Sequence, residues 1–181
     1  LRRYLYYQLI HSMRKADRID IIVSFLMESG VKMLLEELKK AMKRGAQVRI
    51  LTGNYLGITQ PSALYLIKHE LGELVDLRFY NERNRSFHPK SYIFHYADHS
   101  EIYIGSSNIS RSALTSGIEW NYRFSSHRDP ENYEKFYRTF EDLFQNHSVV
   151  IDDKELKRYS KSWHRPAASK DLDRYDNVEE E

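Results

Sequence analysis

Residues 86–108, SFHPKSYIFHYADHSEIYIGSSN, contain two strand-like runs and the polar residues that flank them. The runs, 90–96 and 101–104, are joined by only four residues, which is a connection of hairpin length. Because the strands of a hairpin run antiparallel, the residues after the second run return to the start of the first. The stretch therefore predicts a β-hairpin whose open end brings the histidine and lysine of HPK beside the loop 105–108.

Upstream of this hairpin, helical and strand-like patterns alternate along the chain. The predicted elements are helix 2–16, strand 19–25, helix 31–44, strand 48–52, helix 61–72 and strand 75–80. Alternation of this kind favours parallel strands covered by helices, and the hairpin then makes the sheet mixed. We expect an α/β fold with a mixed, mostly parallel sheet flanked by helices.

Downstream of the hairpin, residues 118–124 predict a last strand. Strand periodicity puts its apolar residues on one face and leaves Glu119 and Asn121 pointing to the other. The apolar residues are Ile118, Trp120, Tyr122 and Phe124.

A helix is predicted over 129–146, with Asp129 as N-cap and Pro130 at its first position. Its aromatic stripe lies on one face, which favours a core role over a base-stacking platform. After residue 147 the chain turns polar, and basic residues alternate with Tyr159 and Trp163. We expect a domain over 1–147 and, over 148–181, a C-terminal extension or a linker to a further region.

The composition of the chain excludes several kinds of site but does not by itself indicate a function. The chain has 181 residues, a formal net charge of +2 and no cysteine, so disulfides, thiolate nucleophiles and cysteine-based zinc sites are excluded. No apolar run reaches the length of about 20 residues that spans a bilayer. We expect a cytoplasmic protein without a membrane partner and, because the chain begins with Leu1 and ends in a polar run, a fragment of a longer protein.

His88 and Lys90 stand two residues apart at the start of a predicted strand, so their side chains should point the same way. An ammonium beside an imidazole is unfavourable unless an anion lies between them, which indicates a bound anionic group such as a phosphate. In the loop 105–108, Ser106 and Asn108 offer neutral hydrogen-bond donors to phosphate oxygens. Arg85 and Arg111 bracket the site in sequence and could contact a nucleic-acid backbone or be solvated.

These blocks resemble the signature of the phospholipase D superfamily, which is H-x-K, four residues, Asp, six residues and then G-S-x-N. His88-Pro89-Lys90 and 105–108 match, and Asp98 stands six residues before Gly105. The departure is a gap of seven residues, in place of four, between Lys90 and Asp98. We interpret it as a longer hairpin turn.

The resemblance implies a phospholipase D-like fold and a phosphodiesterase that uses no metal and no cofactor. It implies attack by His88 on phosphorus to give a phosphohistidine, with a second, protonated histidine acting on the leaving oxygen. One chain has one such motif, so we expect a homodimer in which two copies share a cleft. The implied catalytic residues are His88, Lys90, Asn108 and Glu119, and the substrate-binding residues are Ser106, Asp98, Arg111 and Arg85.

The string GSSNISRSALTSGIEWN also resembles single-motif nuclease modules attached to superfamily-II helicases or found in restriction systems. We therefore expect a nucleic-acid substrate, with DNA favoured, and a possible helicase domain in the same full-length chain. The alternatives are a phospholipid phosphodiesterase or transferase and a catalytically silent nucleic-acid-binding module. His95 and His99 flank a turn, so we interpret them as turn residues and not as metal ligands.

Overall fold

The computed structural model describes residues 4–82, 84–167, 172, 174 and 175. Its helices are α1 (Leu5–Met13), α2 (Glu28–Lys43), α3 (Pro61–Leu71), α4 (Arg111–Leu114), α5 (Pro130–Asn146) and α6 (Asp153–Ser162). Its strands are β1 (Arg18–Val23), β2 (Gln47–Thr52), β3 (Val75–Tyr80), β4 (Lys90–His95), β5 (Ser100–Gly105), β6 (Asn121–Ser125) and β7 (Ser148–Val150). Of the predicted C-terminal extension 148–181, residues 168–171, 173 and 176–181 lie outside the described residues.

The strands form one seven-stranded sheet in the order β6-β5-β4-β1-β2-β3-β7. The pairs β1–β2 and β2–β3 are parallel, and the other four pairs are antiparallel. The predicted mixed α/β class is confirmed, but antiparallel pairs outnumber parallel ones, whereas the sequence predicts a mostly parallel sheet. The reason is that the β4–β5 hairpin, β6 and the short β7 each add an antiparallel neighbour to the parallel centre.

Helices cover both faces of the sheet, and β4 shows how its side chains divide between them. Tyr92 and Phe94 pack into the larger core with α1, α2 and α3, whereas Ile93 packs into the smaller core under α5. This alternation is the expected consequence of strand geometry. Lys90 belongs to the same series as Tyr92 and Phe94, so its stem enters the larger core at the end of the strand.

Helix α5 forms as predicted. The Asp129 carboxylate accepts a hydrogen bond from the backbone N–H of Asn132, and Pro130 occupies the first turn. Phe140 and Phe144 are almost completely buried in the smaller core. The aromatic stripe is therefore core, as its spacing predicts.

The predicted last strand is shorter than expected, and its apolar face is wrong. β6 begins at Asn121, and of the predicted apolar residues only Phe124 is buried. Ile118 is 97% exposed and Trp120 is 83% exposed, and both precede the strand. β6 is the edge of the sheet, so at this end no further element covers the residues that alternation alone assigns to a core.

The C-terminal segment attaches to the opposite edge of the sheet. β7 pairs antiparallel with β3, and α6 packs against α3. The predicted boundary at 147 falls one residue before β7. The use of 148–181 as a linker to a further region stays a prediction.

Among the described residues, none of the helices combines the length and the apolar character that a membrane crossing requires.

Candidate active site

The candidate site lies at one end of four adjacent strands. In the register of the sheet, Lys90 of β4 pairs with Val23 of β1, and Gly105 of β5 pairs with Asn121 of β6. Ser91 pairs with Ile104, so continuing this antiparallel register places Lys90 opposite Gly105. The hairpin thus brings HPK beside the loop 105–108, as the sequence predicts.

His88 and Lys90 are in direct contact. The Lys90 Nζ lies 2.9 Å from His88 Nδ1 and 3.0 Å from its Nε2, and it donates to the His88 carbonyl oxygen at 3.0 Å. His88 is exposed, whereas Lys90 is only 7% exposed. The imidazole is therefore accessible to solvent and to a ligand, while the buried ammonium contacts its ring nitrogens from the protein side.

Burial and charge set the protonation states of this pair. Burial, and then the charge of Lys90, lower the pKa of His88 below its ordinary value, so its neutral form predominates at pH 7. Burial also lowers the pKa of Lys90, and the nearby carboxylate of Glu119 acts in the opposite direction. A neutral imidazole with an unshared electron pair is the form that can act as a nucleophile.

Aromatic contacts hold both the His88 ring and the residue that precedes it. The preceding residue, Phe87, is buried and stacks on Tyr80 with ring centroids 4.5 Å apart. A Cβ added at Gly53 would lie 2.6 Å from the Phe87 ring, so only glycine allows this approach. The Tyr55 ring lies 4.4 Å from the His88 ring. Sequence reasoning missed Tyr55, because nothing in its loop indicates a contact with a residue 33 positions away.

Asn108 joins the loop 105–108 to the end of β1. Its Oδ1 accepts hydrogen bonds from the backbone N–H groups of Ser24 at 2.9 Å and Phe25 at 3.2 Å. The Ser24 hydroxyl in turn donates to the Pro89 carbonyl oxygen at 3.1 Å. Asn108 is 5% exposed, so its oxygen anchors the loop. Only its amide nitrogen remains for a ligand.

Ser106 and Glu119 come together across the start of β6. The Ser106 hydroxyl donates to the Glu119 carboxylate and accepts from the Trp120 N–H at 3.0 Å. A Cβ at Gly105 would lie 1.9 Å from the Trp120 carbonyl oxygen, so glycine is required where the two backbones approach. Within this protomer, Glu119 therefore contacts Ser106 and not His88.

Asp98 does not lie beside His88 and Lys90, so its position gives no support to the predicted substrate-binding role. It lies in the turn at the other end of the hairpin, where its 76% exposed side chain contacts His99. His95, which follows Lys90 after four intervening residues, occupies the position where the signature has its Asp. The Nε2 of His95 lies 2.7 Å from the buried carboxylate of Asp20 on β1. The extra hairpin residues thus separate Asp98 from the sheet. The buried carboxylate beside His95, at the C-terminal end of β4, is instead that of Asp20 on β1.

The two arginines near the motifs lie on the surface. Arg85 precedes His88 by three residues and is exposed. Arg111 begins α4, three residues after Asn108, and is also exposed. Their proposed contact with a nucleic-acid backbone stays a prediction, and the neighbouring Arg83 lies outside the described residues.

A cavity of about 320 Å³ adjoins His88, Pro89 and Lys90 on the α5 side of the sheet. Its remaining walls are mostly apolar and include Ile93 and Phe140. Within the described ranges, no three His, Asp or Glu side chains cluster as metal ligands do.

Comparison with solved structures shows a shared fold at low identity. NucT from Helicobacter pylori superposes with a TM-score of 0.61 at 16% identity, over 80% of this chain and 89% of that one. The archaeal chromatin protein TrmBL2 gives 0.52 at 17% identity, over 80% of this chain and 50% of that one. Phosphatidylserine synthase from Haemophilus influenzae Rd KW20 gives 0.54 at 14% identity, over 92% of this chain and 40% of that one.

No curated protein matches the sequence. The family described as "Cardiolipin synthase, PLD-like domain" matches residues 7–147, which include α1 except its first two residues, α2 through α5, and the whole candidate site. The chain therefore belongs to the phospholipase D-like domain family.

Proposed function

We propose that this protein is a metal-independent phosphodiesterase that cleaves nucleic acid, with DNA as the expected substrate, through a phosphohistidine at a dimeric site. The observation that carries the proposal is the contact of an exposed, neutral His88 with the buried ammonium of Lys90, 2.9 Å away. Family membership supports a phosphoryl-transfer reaction of this type.

In the first step, the unprotonated nitrogen of the His88 imidazole attacks phosphorus. An N–P bond forms as the bond to the leaving oxygen breaks, and a protonated histidine of the second protomer gives that oxygen its proton. In the second step, this histidine, now neutral, takes a proton from water. The resulting hydroxide attacks phosphorus, the N–P bond breaks, and the products are a phosphomonoester and free His88.

Donors around the imidazole would stabilise the charge on the non-bridging oxygens. Lys90 contributes a positive charge, and the Asn108 amide nitrogen contributes a neutral donor. Both side chains are held before substrate arrives, Lys90 by burial and Asn108 by its bonds to β1. Groups that are already oriented need little reorganisation during the reaction.

The edge of the sheet supports the dimer proposal. Ile118, Trp120 and Tyr122 are exposed by 97%, 83% and 67%, beside Glu119 and the unpaired side of β6. We refer to these three residues as the edge patch. Exposed apolar residues next to an open strand edge are characteristic of an association surface. A second copy docked here would bring its own site close to the first.

The choice of nucleic acid over phospholipid is also a proposal. Proteins with this fold include TrmBL2, whose structure shows a novel mode of DNA binding, and also phosphatidylserine synthase, so the fold alone does not decide between the two substrates. The exposed Arg85 and Arg111 on either side of the motifs suit a phosphate backbone. A helicase or restriction protein as the full-length context belongs to the same proposal.

Cleavage of plasmid and single-stranded DNA in excess EDTA tests this function. We expect the parent to cleave, His88→Ala to be inactive, and His69→Ala, which alters an exposed histidine on α3, to cleave like the parent. Loss of the parent's activity in EDTA, or equal cleavage by His88→Ala, would contradict the proposal. Binding without cleavage would support the silent module, and hydrolysis of phospholipid vesicles alone would support the lipid enzyme.

A further inference from the structure

The C-terminal segment contacts a loop that lies next to the candidate site. The Tyr159 hydroxyl of α6 lies 2.7 Å from Asn54 Oδ1 and 2.6 Å from the Thr59 carbonyl oxygen, and donates to one of them at a time. The Trp163 Nε1–H donates to the Gly57 carbonyl oxygen at 2.7 Å. Both aromatic residues lie beyond the family match, which ends at residue 147.

The loop 54–60, which connects β2 to α3, has a conformation that needs such support. Leu56 adopts φ +52° and is 62% exposed, so a left-handed backbone is occupied there without burial of the side chain. Gly57 follows with φ +72°. The Trp163 N–H reaches Gly57 within this strained turn, and the Tyr159 hydroxyl lies within hydrogen-bond distance of the residues that flank it.

The same loop carries Tyr55, whose ring packs on the His88 imidazole with centroids 4.4 Å apart and planes at 58°. Tyr55 is half-buried against Phe25, Met27 and Ile58. His88 lies just before β4, outside the sheet, so strand hydrogen bonds do not hold it. Its ring contacts are therefore the Tyr55 ring and the Lys90 ammonium.

We propose that Tyr159 and Trp163 are positioning residues for the candidate site: they fix the loop 54–60, and Tyr55 of that loop orients the imidazole of His88. The site then extends beyond the family's matched residues, and the C-terminal segment is a part of it. The consequence for activity rests on the proposed function, in which His88 is the nucleophile.

The test uses Tyr159→Phe, Trp163→Phe and Tyr55→Leu in the full chain. Tyr159→Phe removes the hydroxyl donor and retains the ring that packs on Phe79 at 4.9 Å. Trp163→Phe removes the indole N–H donor and keeps a smaller aromatic ring in its place. Tyr65→Phe is the matched control, because it removes a hydroxyl from an α3 residue that is 60% exposed and whose ring stacks on His69 and not on the loop 54–60. Thermal unfolding checks that each variant folds, and we expect shifts within about 2–4 °C.

The first measurement is an NMR titration of the His88 ring, which does not depend on activity. The groups that face this ring are Lys90 and Tyr55, with Glu119 acting through Lys90. Because contact with Tyr55 shields the imidazole from water, Tyr55→Leu should raise the His88 pKa toward its ordinary value. Tyr159→Phe and Trp163→Phe should raise it in the same direction by less, while Tyr65→Phe should match the parent.

The second measurement is DNA cleavage. We expect kcat to fall about tenfold in Tyr159→Phe and Trp163→Phe with KM nearly unchanged, because a misplaced nucleophile slows the chemical step more than binding. An unchanged His88 pKa in Tyr55→Leu, or in both Tyr159→Phe and Trp163→Phe, would overturn this inference. A parent without cleavage would refute the proposed function alone, because the titration still reports on the coupling.

Discussion

At the residue scale, the chemistry of the site depends on a neutral imidazole beside a buried ammonium. Lys90 is fixed in the core at its stem and contacts both ring nitrogens and the carbonyl oxygen of His88 at 2.9–3.0 Å. Two positive charges this close repel each other unless an anion is bound, so only one of the two groups is protonated. The protonated group is Lys90, because lysine is the stronger base. The imidazole is therefore neutral when a phosphate arrives, as attack on phosphorus requires.

The titration of His88 is a direct consequence of this arrangement. In the parent, the imidazole should take up its proton only below the ordinary value of about 6.5, because burial and then Lys90 lower its pKa. Lys90→Met removes the charge and keeps the stem, so the His88 pKa should rise, although burial still holds it below the ordinary value. NMR titration of the ring measures both, and an equal or lower pKa in Lys90→Met would contradict the assigned cause.

Gly105→Ala tests the close approach between the loop 105–108 and the start of β6. The new Cβ would lie 1.9 Å from the Trp120 carbonyl oxygen, a backbone atom that cannot move alone. We expect a loss of about 1–3 kcal/mol in the free energy of unfolding in urea, as for other overpacked sites. Cleavage should fall as well, because Ser106 and Asn108 follow directly. A variant as stable and active as the parent would contradict the described approach.

At the element scale, a buried charge cluster ties three strands to α5 at the end of the sheet opposite the site. Arg49 of β2 donates to both Asp20 oxygens at 2.6 and 2.8 Å and also pairs with Glu141 of α5 at 2.5 Å. His95 of β4 contacts the same Asp20 carboxylate. Burial alone would raise the pKa of Asp20, but the hydrogen bonds from Arg49 and His95 outweigh it and hold the pKa below its ordinary value.

Asp20→Asn should therefore be much more damaging than Asp98→Asn. Removing the carboxylate leaves Arg49 buried beside one acid in place of two, which costs about 3–5 kcal/mol for a broken buried pair. Asp98 lies in an exposed turn, so Asp98→Asn should leave stability and cleavage at the parent's level. Urea unfolding and DNA cleavage by both variants test this, and a large loss of cleavage in Asp98→Asn at the parent's stability would support a substrate-binding role for that residue.

The same cluster gives stability a pH dependence of known sign. The pKa of Asp20 is lower in the folded than in the unfolded chain, so its contribution is complete above the ordinary value of about 3.9. It is lost as the pH falls through the lower, folded value. Unfolding free energies measured from pH 6 down to pH 2 should fall less steeply at the acid end in Asp20→Asn than in the parent.

At the scale of the whole molecule, the sequence predicts the layout of the sheet's centre better than its edges. Helix and strand periodicity locate α1 to β5 to within a few residues, and the HPK and GSSN blocks meet as the hairpin requires. The predicted burial of the apolar residues in 118–122 is wrong, because alternation distinguishes the two faces of a strand but does not show whether another element covers either face. Tyr55 and Asp20 are missed for a different reason, since their partners lie 33 and 75 positions away in the chain.

The edge patch gives a prediction for the assembled molecule. If a second copy covers it, light scattering should give about twice the chain mass of 21.7 kDa. Trp120→Asp should yield folded monomers, because a buried, unpaired charge is costly at an interface. Monomers should also lose cleavage, since each would lack the second histidine. Full activity in a strict monomer would contradict the shared site.

Trapping the covalent intermediate tests the central claim most directly. An oligonucleotide is mixed with the protein in EDTA, quenched in alkaline denaturant, which preserves phosphohistidine, and the protein's intact mass and peptides are measured. We expect a phosphonucleotide adduct on His88 in the parent and none in His88→Ala. Cleavage that proceeds without an adduct on His88, or with the adduct on another residue, would contradict this claim.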